Sequence, residues 1–264
     1  MKTPLLLPPL TLGIASFSFG QGRQSGGPPP RPEVARLSAA VAAKTKFLNP
    51  EYLVFSPELE DSSKPVPLVV YLHGGGGLGS EILRVKGPPG GVFRAIEFHG
   101  HAPCIVVAPQ CRRGEGGKGG WIAEDLNLLL EQVKATLPID ATRVYVTGNS
   151  MGGYGSWMWA GTNPEHFAAA APVVGGIGEH GPKHVSPHIE AWANKLAKIP
   201  VWAFAGGQDG VVPAERSERM IDLIEKAGGT QAKITVFPEA GHNAGKNVFD
   251  NKKFYDWLFG QREE

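Results

Sequence analysis

The residues best placed to do chemistry are Gly148-Asn149-Ser150-Met151-Gly152, which directly follow the apolar run Val144-Tyr145-Val146-Thr147 and open a helical stretch. A serine two residues from a glycine on either side, between a strand and a helix, reads as a nucleophile elbow. The reason for the spacing is steric. The serine sits on a sharp, strained turn, so the positions two before and two after it must be nearly free of side chain. The helix that begins there aims its N-terminus at the serine and favours negative charge beside it. A serine hydroxyl is a weak nucleophile and needs a base. His242, in Gly241-His242-Asn243 just after the apolar run Ile234–Phe237, is the candidate base. A base of this kind needs an acid to fix its tautomer and steady the imidazolium. Asp209, in Asp209-Gly210-Val211-Val212-Pro213 after Val201–Ala205, is the candidate acid. Each of the three lies just past a separate strand candidate, in the order Ser150, Asp209, His242.

Acyl transfer also needs donors for a developing oxyanion. His73-Gly74-Gly75-Gly76-Gly77 follows the run Leu68–Leu72, and glycines there let backbone N–H groups approach closely. The predicted donors are Gly75 and Gly76, with the N–H of Met151. The same run also reads as the Gly-x-Gly-x-x-Gly dinucleotide pattern, Gly74 to Gly79. That pattern requires an acid ending the next strand, whereas Glu97 lies in the helical stretch Phe93–Phe98. No Gly-Lys-Ser/Thr follows, so a P-loop is excluded as well. Trp121, Gln110 and Tyr154 lie near the same edge and are candidate substrate contacts. His99 and His101 read as loop residues, and Pro187 breaks any helical face shared by His184 and His188. The expected chemistry therefore requires neither a metal nor an organic cofactor.

The elements that must position these groups are legible from hydrophobic runs. Strands are predicted at Tyr52–Phe55, Leu68–Leu72, Cys104–Ala108, Val144–Thr147, Ala169–Val174, Val201–Ala205 and Ile234–Phe237. Most are short, continuous and apolar, as for strands buried on both faces. Helices are predicted at 123–136, 151–162, 214–227 and 251–259. The alternation implies an α/β fold, a mostly parallel sheet in a single domain with helices on both faces. Ligands bind such sheets at the carboxyl ends of the strands. Residues 176–192 fit no element and read as an insertion over that edge.

The rest of the chain sets its context. Residues 1–20 read as an export signal, with Lys2 before an uncharged leucine-rich stretch and small Ser18 and Gly20 before Gln21. Cleavage after Gly20 would give a secreted or periplasmic protein, and the stretch, broken by Pro8 and Pro9, is too short to span a membrane. Residues 21–49 form a Gly/Pro-rich linker and lead-in, with 21–34 predicted to be disordered, and 50–264 form the catalytic domain. A net charge of +1 lacks the basic surplus that holds a phosphate backbone, so nucleic acid is a poor partner. Cys104 and Cys111 are separated by an extended apolar run that holds them too far apart to bridge.

Together these residues resemble the α/β-hydrolase superfamily over roughly residues 50–262. The closer likeness is to its secreted carboxylesterase and predicted-peptidase group, near the feruloyl esterases and polyhydroxybutyrate-depolymerase-like hydrolases. The resemblance rests on Tyr145-Val-Thr-Gly-Asn-Ser-Met-Gly-Gly-Tyr-Gly-Ser-Trp157, Val107-Ala-Pro-Gln-Cys111, Pro200-Val-Trp-Ala-Phe204, Asp209-Gly-Val-Val-Pro213, Gly241-His242-Asn243 and Phe254-Tyr-Asp-Trp-Leu258. After His242, Ala244-Gly245 stands where that group would carry Ser-Trp. The resemblance implies a serine hydrolase acting on small-molecule or polymer-borne carboxylic esters of feruloyl, acetyl or short-chain type. Peptide cleavage and polyester depolymerisation are the alternatives on the same machinery.

Overall fold

The computed structural model describes residues 31–58, 61, 64–113, 120–179 and 181–263. The export signal and its cleavage point lie outside the described residues. Eight strands form one sheet: β1 (Glu33–Arg36), β2 (Leu48–Phe55), β3 (Val66–Leu72), β4 (Ile105–Cys111), β5 (Ile139–Asn149), β6 (Ala169–Val173), β7 (Val201–Gly206) and β8 (Ala232–Phe237). Their spatial order is β1-β2-β4-β3-β5-β6-β7-β8. β1 and β2 join antiparallel, and β3 to β8 run parallel. The helices are α1 (Ala39–Ala42), α2 (Gly87–Phe98), α3 (Ala123–Thr136), α4 (Met151–Thr162), α5 (Ile189–Leu196), α6 (Glu215–Lys226), α7 (Gly245–Phe249) and α8 (Lys252–Phe259).

The sheet separates two apolar cores, because successive strand side chains point to opposite faces. Leu68, Val70 and Leu72 of β3 join Leu126 and Leu129 of α3, Trp157 of α4 and Ile221 of α6. Val69 and Tyr71 join Phe93 and Ile96 of α2 with Phe254 and Leu258 of α8. All seven residues of β3 are buried, which explains its unbroken apolar reading. α4 is buried along nearly its whole length and carries no polar face.

Two expectations need correction. Residues 33 and 34, assigned to a disordered linker, belong to β1, which pairs with β2 from Glu33↔Val54 to Arg36↔Glu51. This edge strand is mostly exposed and shows no apolar alternation, so hydropathy could not reveal it. Backbone pairing holds it, and the Gln132 amide of α3 clasps it, donating to Arg36 O at 3.0 Å and accepting from Ser38 N at 2.7 Å. The supposed insertion 176–192 contains a bridge between Ile177 and Val185, and its last residues begin α5. The buried face of that helix is Ile189, Trp192, Ala193 and Leu196, a helical spacing present in the sequence. Cys104 precedes β4 and Cys111 ends it; both are buried and unbridged.

Candidate active site

The strand order reverses around β3, with β4 on one side of it and β5 on the other. Such a switch opens a crevice at the carboxyl ends of the strands. Here the parallel pairing Leu72↔Gly148 carries the two chains past their strands side by side, which brings residue 74 opposite residue 150. A Cβ at Gly74 would lie 3.4 Å from the Ser150 Cβ and 3.1 Å from Asn149 O. The glycine loop and the elbow therefore meet because of register alone.

Ser150 has φ 60° and ψ −115°, a conformation that side-chain-bearing residues rarely adopt. Its surroundings enforce it. Its N–H donates to Val173 O at 2.9 Å, and its carbonyl accepts from Tyr154 N at 2.9 Å. A Cβ at Gly148 would lie 2.4 Å from Leu72 O, and one at Gly152 only 1.8 Å from the same atom. The two small residues at these positions are thus a steric necessity. At Gly153, a Cβ would lie 2.4 Å from Val173 O, so α4 also presses on the end of β6.

The loops after β7 and β8 converge on the serine. His242 Nε2 lies 2.8 Å from Ser150 Oγ, and its Nδ1 lies 2.8 Å from Asp209 Oδ2. A carboxylate only accepts, so Nδ1–H donates to Asp209 and Nε2 is left to accept the serine hydroxyl. The Asp209 side chain is fully buried, and its Oδ1 accepts from Val211 N at 2.8 Å and Val212 N at 2.9 Å. Both loops are drawn together by backbone bonds from Gly207 N to Phe237 O and from Gln208 N to Ala240 O. Gly206 permits this approach, since a Cβ there would lie 2.4 Å from Gly241 O. A hydroxyl bonded to an imidazole that a buried carboxylate orients can lose its proton as it attacks a carbonyl.

Gly75–Gly77 form a 3-10 turn closed by Gly77 N to Gly74 O at 2.9 Å. Among the described residues, the N–H groups of Gly75 and Gly76 donate to no backbone carbonyl, and a Cβ at either would meet nothing within 4 Å. Met151 occupies the first position of α4, where an N–H has no intrahelical acceptor. The first amide of α4 thus adjoins Ser150, and the glycine loop reaches the serine at Gly74.

His73, the stem of the glycine loop, has a role that its position before the glycines hinted at but did not reveal. Its Nδ1–H donates to Gly74 O at 2.7 Å, and its Nε2 accepts from Cys111 N at 3.0 Å. Burial lowers its pKa to about 4, so the ring stays neutral and both bonds persist. Its ring packs on Trp121, whose Nε1–H donates to His73 O at 3.2 Å. Gly77 lies so close that a Cβ would fall 2.4 Å from the imidazole.

The candidate substrate contacts divide. Gln110 is fully buried, and its amide is engaged: Nε2 donates to Gly77 O at 2.9 Å and Glu81 O at 3.3 Å, and Oε1 accepts from Asn49 Nδ2 at 2.8 Å. It holds the glycine loop in place and has no polar group left for a substrate. Trp121 and Tyr154 instead border a cavity of about 580 Å³ that opens along α4. His101 lies before β4, at the opposite edge of the sheet, with Nε2 3.3 Å from Asp256. His188 caps α5 and shares no helix face with His184. Among the described residues no group of three or more His, Cys, Asp or Glu is placed to hold a metal. Among them, no helix is long and apolar enough to cross a membrane.

Sheet order, elbow and converging loops define an α/β-hydrolase. Among solved structures, a thermostable esterase superposes with TM-score 0.72 at 25% identity, covering 88% of this chain. The match spans 63% of that esterase's own length. The family model described as dienelactone hydrolase family matches residues 118–249. An Aspergillus terreus protein named probable feruloyl esterase C is 31% identical over 199 residues, covering 75% of this chain and 68% of that protein. A Salmonella typhimurium protein that carries the name carboxymethylenebutenolidase is 28% identical over 211 residues, 70% of each chain. The chain belongs to the dienelactone hydrolase family and is a hydrolase of the esterase kind.

Proposed function

We propose that the protein cleaves carboxylic esters through an acyl-enzyme on Ser150. The observation that carries this reading is the unbroken hydrogen-bonded line Asp209–His242–Ser150, 2.8 Å at each step, ending on a strained elbow. Ser150 Oγ attacks the ester carbonyl carbon while His242 Nε2 takes the hydroxyl proton. The carbonyl oxygen becomes an oxyanion facing the N–H of Met151 and that of Gly75 or Gly76. Collapse of the tetrahedral species breaks the bond to the alkoxy oxygen, and His242 returns the proton to the departing alcohol. Water repeats the sequence on the acyl-enzyme and releases the acid. Asp209 keeps the imidazole in the tautomer this requires. No step draws on a metal or an organic cofactor, so turnover is expected to survive exhaustive chelation.

The substrate is a small-molecule or polymer-borne ester, and the leader at residues 1–20 directs the enzyme out of the cytoplasm. A fluorophosphonate should attach to Ser150, as read by peptide mass spectrometry. Ser150→Ala should lower kcat by about 10⁴-fold or more. Labelling at another residue, or more than a tenth of wild-type turnover in Ser150→Ala, overturns the mechanism. A mature N-terminus at Gln21 in the exported protein tests the leader.

A further inference from the structure

We propose that Gln110 is a positioning residue for catalysis: through the carbonyl of Gly77 it holds the glycine loop in the shape that offers an amide to the oxyanion. The proposal rests on the acyl-enzyme reading above, in which Gly75 or Gly76 is a donor.

The loop cannot hold itself by packing. Gly75 and Gly76 carry no side chain, and even a Cβ at either would meet nothing within 4 Å. Glycine also has the most backbone freedom to lose. Hydrogen bonds to the carbonyls of the turn are what remain. At its start, Gly74 O accepts from His73 Nδ1 at 2.7 Å and from Gly77 N at 2.9 Å. In its middle, Gly75 O accepts from Leu78 N at 3.3 Å. The N–H of a trans peptide points opposite to its C=O, so these bonds turn the Gly75 and Gly76 N–H groups away from the carbonyls that are engaged. At its end, Gly77 O accepts from Gln110 Nε2 at 2.9 Å. The same nitrogen donates to Glu81 O at 3.3 Å, so one side chain ties down both the turn and the segment that follows it.

The direction of the Gln110 amide is dictated from further back. Asn49 lies where the pairing of β2 with β4 shifts register, between Leu48 and Tyr52. Such a shift can re-aim a side chain, and here it aims Asn49 at Gln110. A backbone N–H can only donate, and that of Glu51 reaches Asn49 Oδ1 at 3.1 Å. Asn49 Nδ2 is therefore the donor, to Gln110 Oε1 at 2.8 Å and to Ser80 O at 3.1 Å. With its Oε1 accepting, Gln110 must present its NH2 to Gly77 and Glu81. Both side chains are buried, Gln110 at 0% exposure and Asn49 at 5%, so water competes little for these bonds. Gln110 itself touches no reacting atom. Its effect falls on the step in which negative charge develops, and substrate binding is left alone.

Steady-state kinetics on p-nitrophenyl acetate and inhibition by phenylboronic acid test this on the whole chain. Ser150 Oγ adds to the boron, its proton passes to His242, and the tetrahedral boronate anion places an oxygen where the oxyanion would form. Gln110→Met retains much of the side chain's length and removes its amide. It should lower kcat about tenfold, leave KM within about twofold and weaken phenylboronic acid about tenfold. Asn49→Leu, outside the loop, should lower kcat by a smaller factor. It should add nothing in a Gln110→Met background, because it acts through Gln110. Urea denaturation identifies the variants that fold, and if Gln110→Met does not, Asn49→Leu carries the same comparison. In a folded variant, an unchanged kcat, or a raised KM with kcat and boronate affinity retained, overturns the positioning role. Losses that multiply in the double variant overturn the link from Asn49. Failure of a fluorophosphonate to label Ser150 in the wild type removes the nucleophile, and the positioning role with it.

Discussion

The two halves of the candidate site are built by different means. On the side of β3, β5 and β6, backbone presses on backbone: Gly148 and Gly152 against Leu72 O, Gly153 against Val173 O, Gly74 against Asn149 O. On the side of β7 and β8, side chains do the positioning, with Asp209 clamped by two amides and His242 clamped by Asp209. Main-chain packing can hold a strained residue because nothing in it can rotate away. Side-chain bonding sets a tautomer, which packing cannot do. A change on the first side should therefore damage the fold together with the chemistry. A change on the second should damage the chemistry first.

The largest effect is expected on the side-chain half. Asp209→Asn retains the shape but can turn an N–H toward His242 Nδ1, which selects the wrong tautomer. It should lower kcat by about 10⁴-fold while the urea midpoint shifts far less than kcat implies. A parallel collapse of stability and activity would erase the distinction between the halves. On the backbone half, Gly152→Ala places a Cβ 1.8 Å from Leu72 O, and neither partner has a side-chain rotation that relieves it. Urea denaturation should show a loss of more than about 3 kcal/mol, with activity falling alongside. Wild-type stability in this variant would mean that the elbow yields more easily than its contacts imply.

His73 joins the two modes, since it is a side chain used to hold a main-chain loop. Its pKa lies near 4 in the fold against an ordinary 6.5, because burial opposes charge. Between those values the unfolded chain binds a proton that the folded chain refuses. The stability this contributes is complete above about pH 6.5 and drains away as the pH falls toward 4, by about 3 kcal/mol in all. Urea midpoints between pH 7 and pH 4 should fall more steeply for the wild type than for His73→Gln, which has no ring to protonate. Equal slopes would place the acid sensitivity elsewhere.

Which parts were legible in the sequence follows from the same division. The strand–turn–helix at the elbow, the glycine run and the apolar strands leave marks that are local and compositional, so strands β2 to β8 and the turn at Ser150 could be read directly. α5 also left its helical spacing, which the neighbouring glycines and prolines obscured. β1 left none, because an exposed edge strand is held by pairing to residues far along the chain. Gln110 was read as a substrate contact because it ends an apolar strand at the active edge. The partners that bury its amide, Asn49, Gly77 and Glu81, come from three other segments.

The smallest expected effect is the most direct measure of what the elbow stores. Ser150 pays for its position with a φ of 60° and ψ of −115°, a conformation that glycine adopts without strain. Ser150→Gly deletes the hydroxyl and relieves the backbone in one step. Activity should vanish, yet the protein should gain about 1 kcal/mol against urea, net of the extra freedom glycine gives the unfolded chain. Ser150→Ala is the needed partner, since it loses the same hydroxyl and keeps the strain, so the difference between the two midpoints isolates the backbone. A glycine variant no more stable than the alanine one would mean that Gly148, Gly152 and Val173 shape this turn without loading it, and that the exposed hydroxyl comes at no cost to the fold.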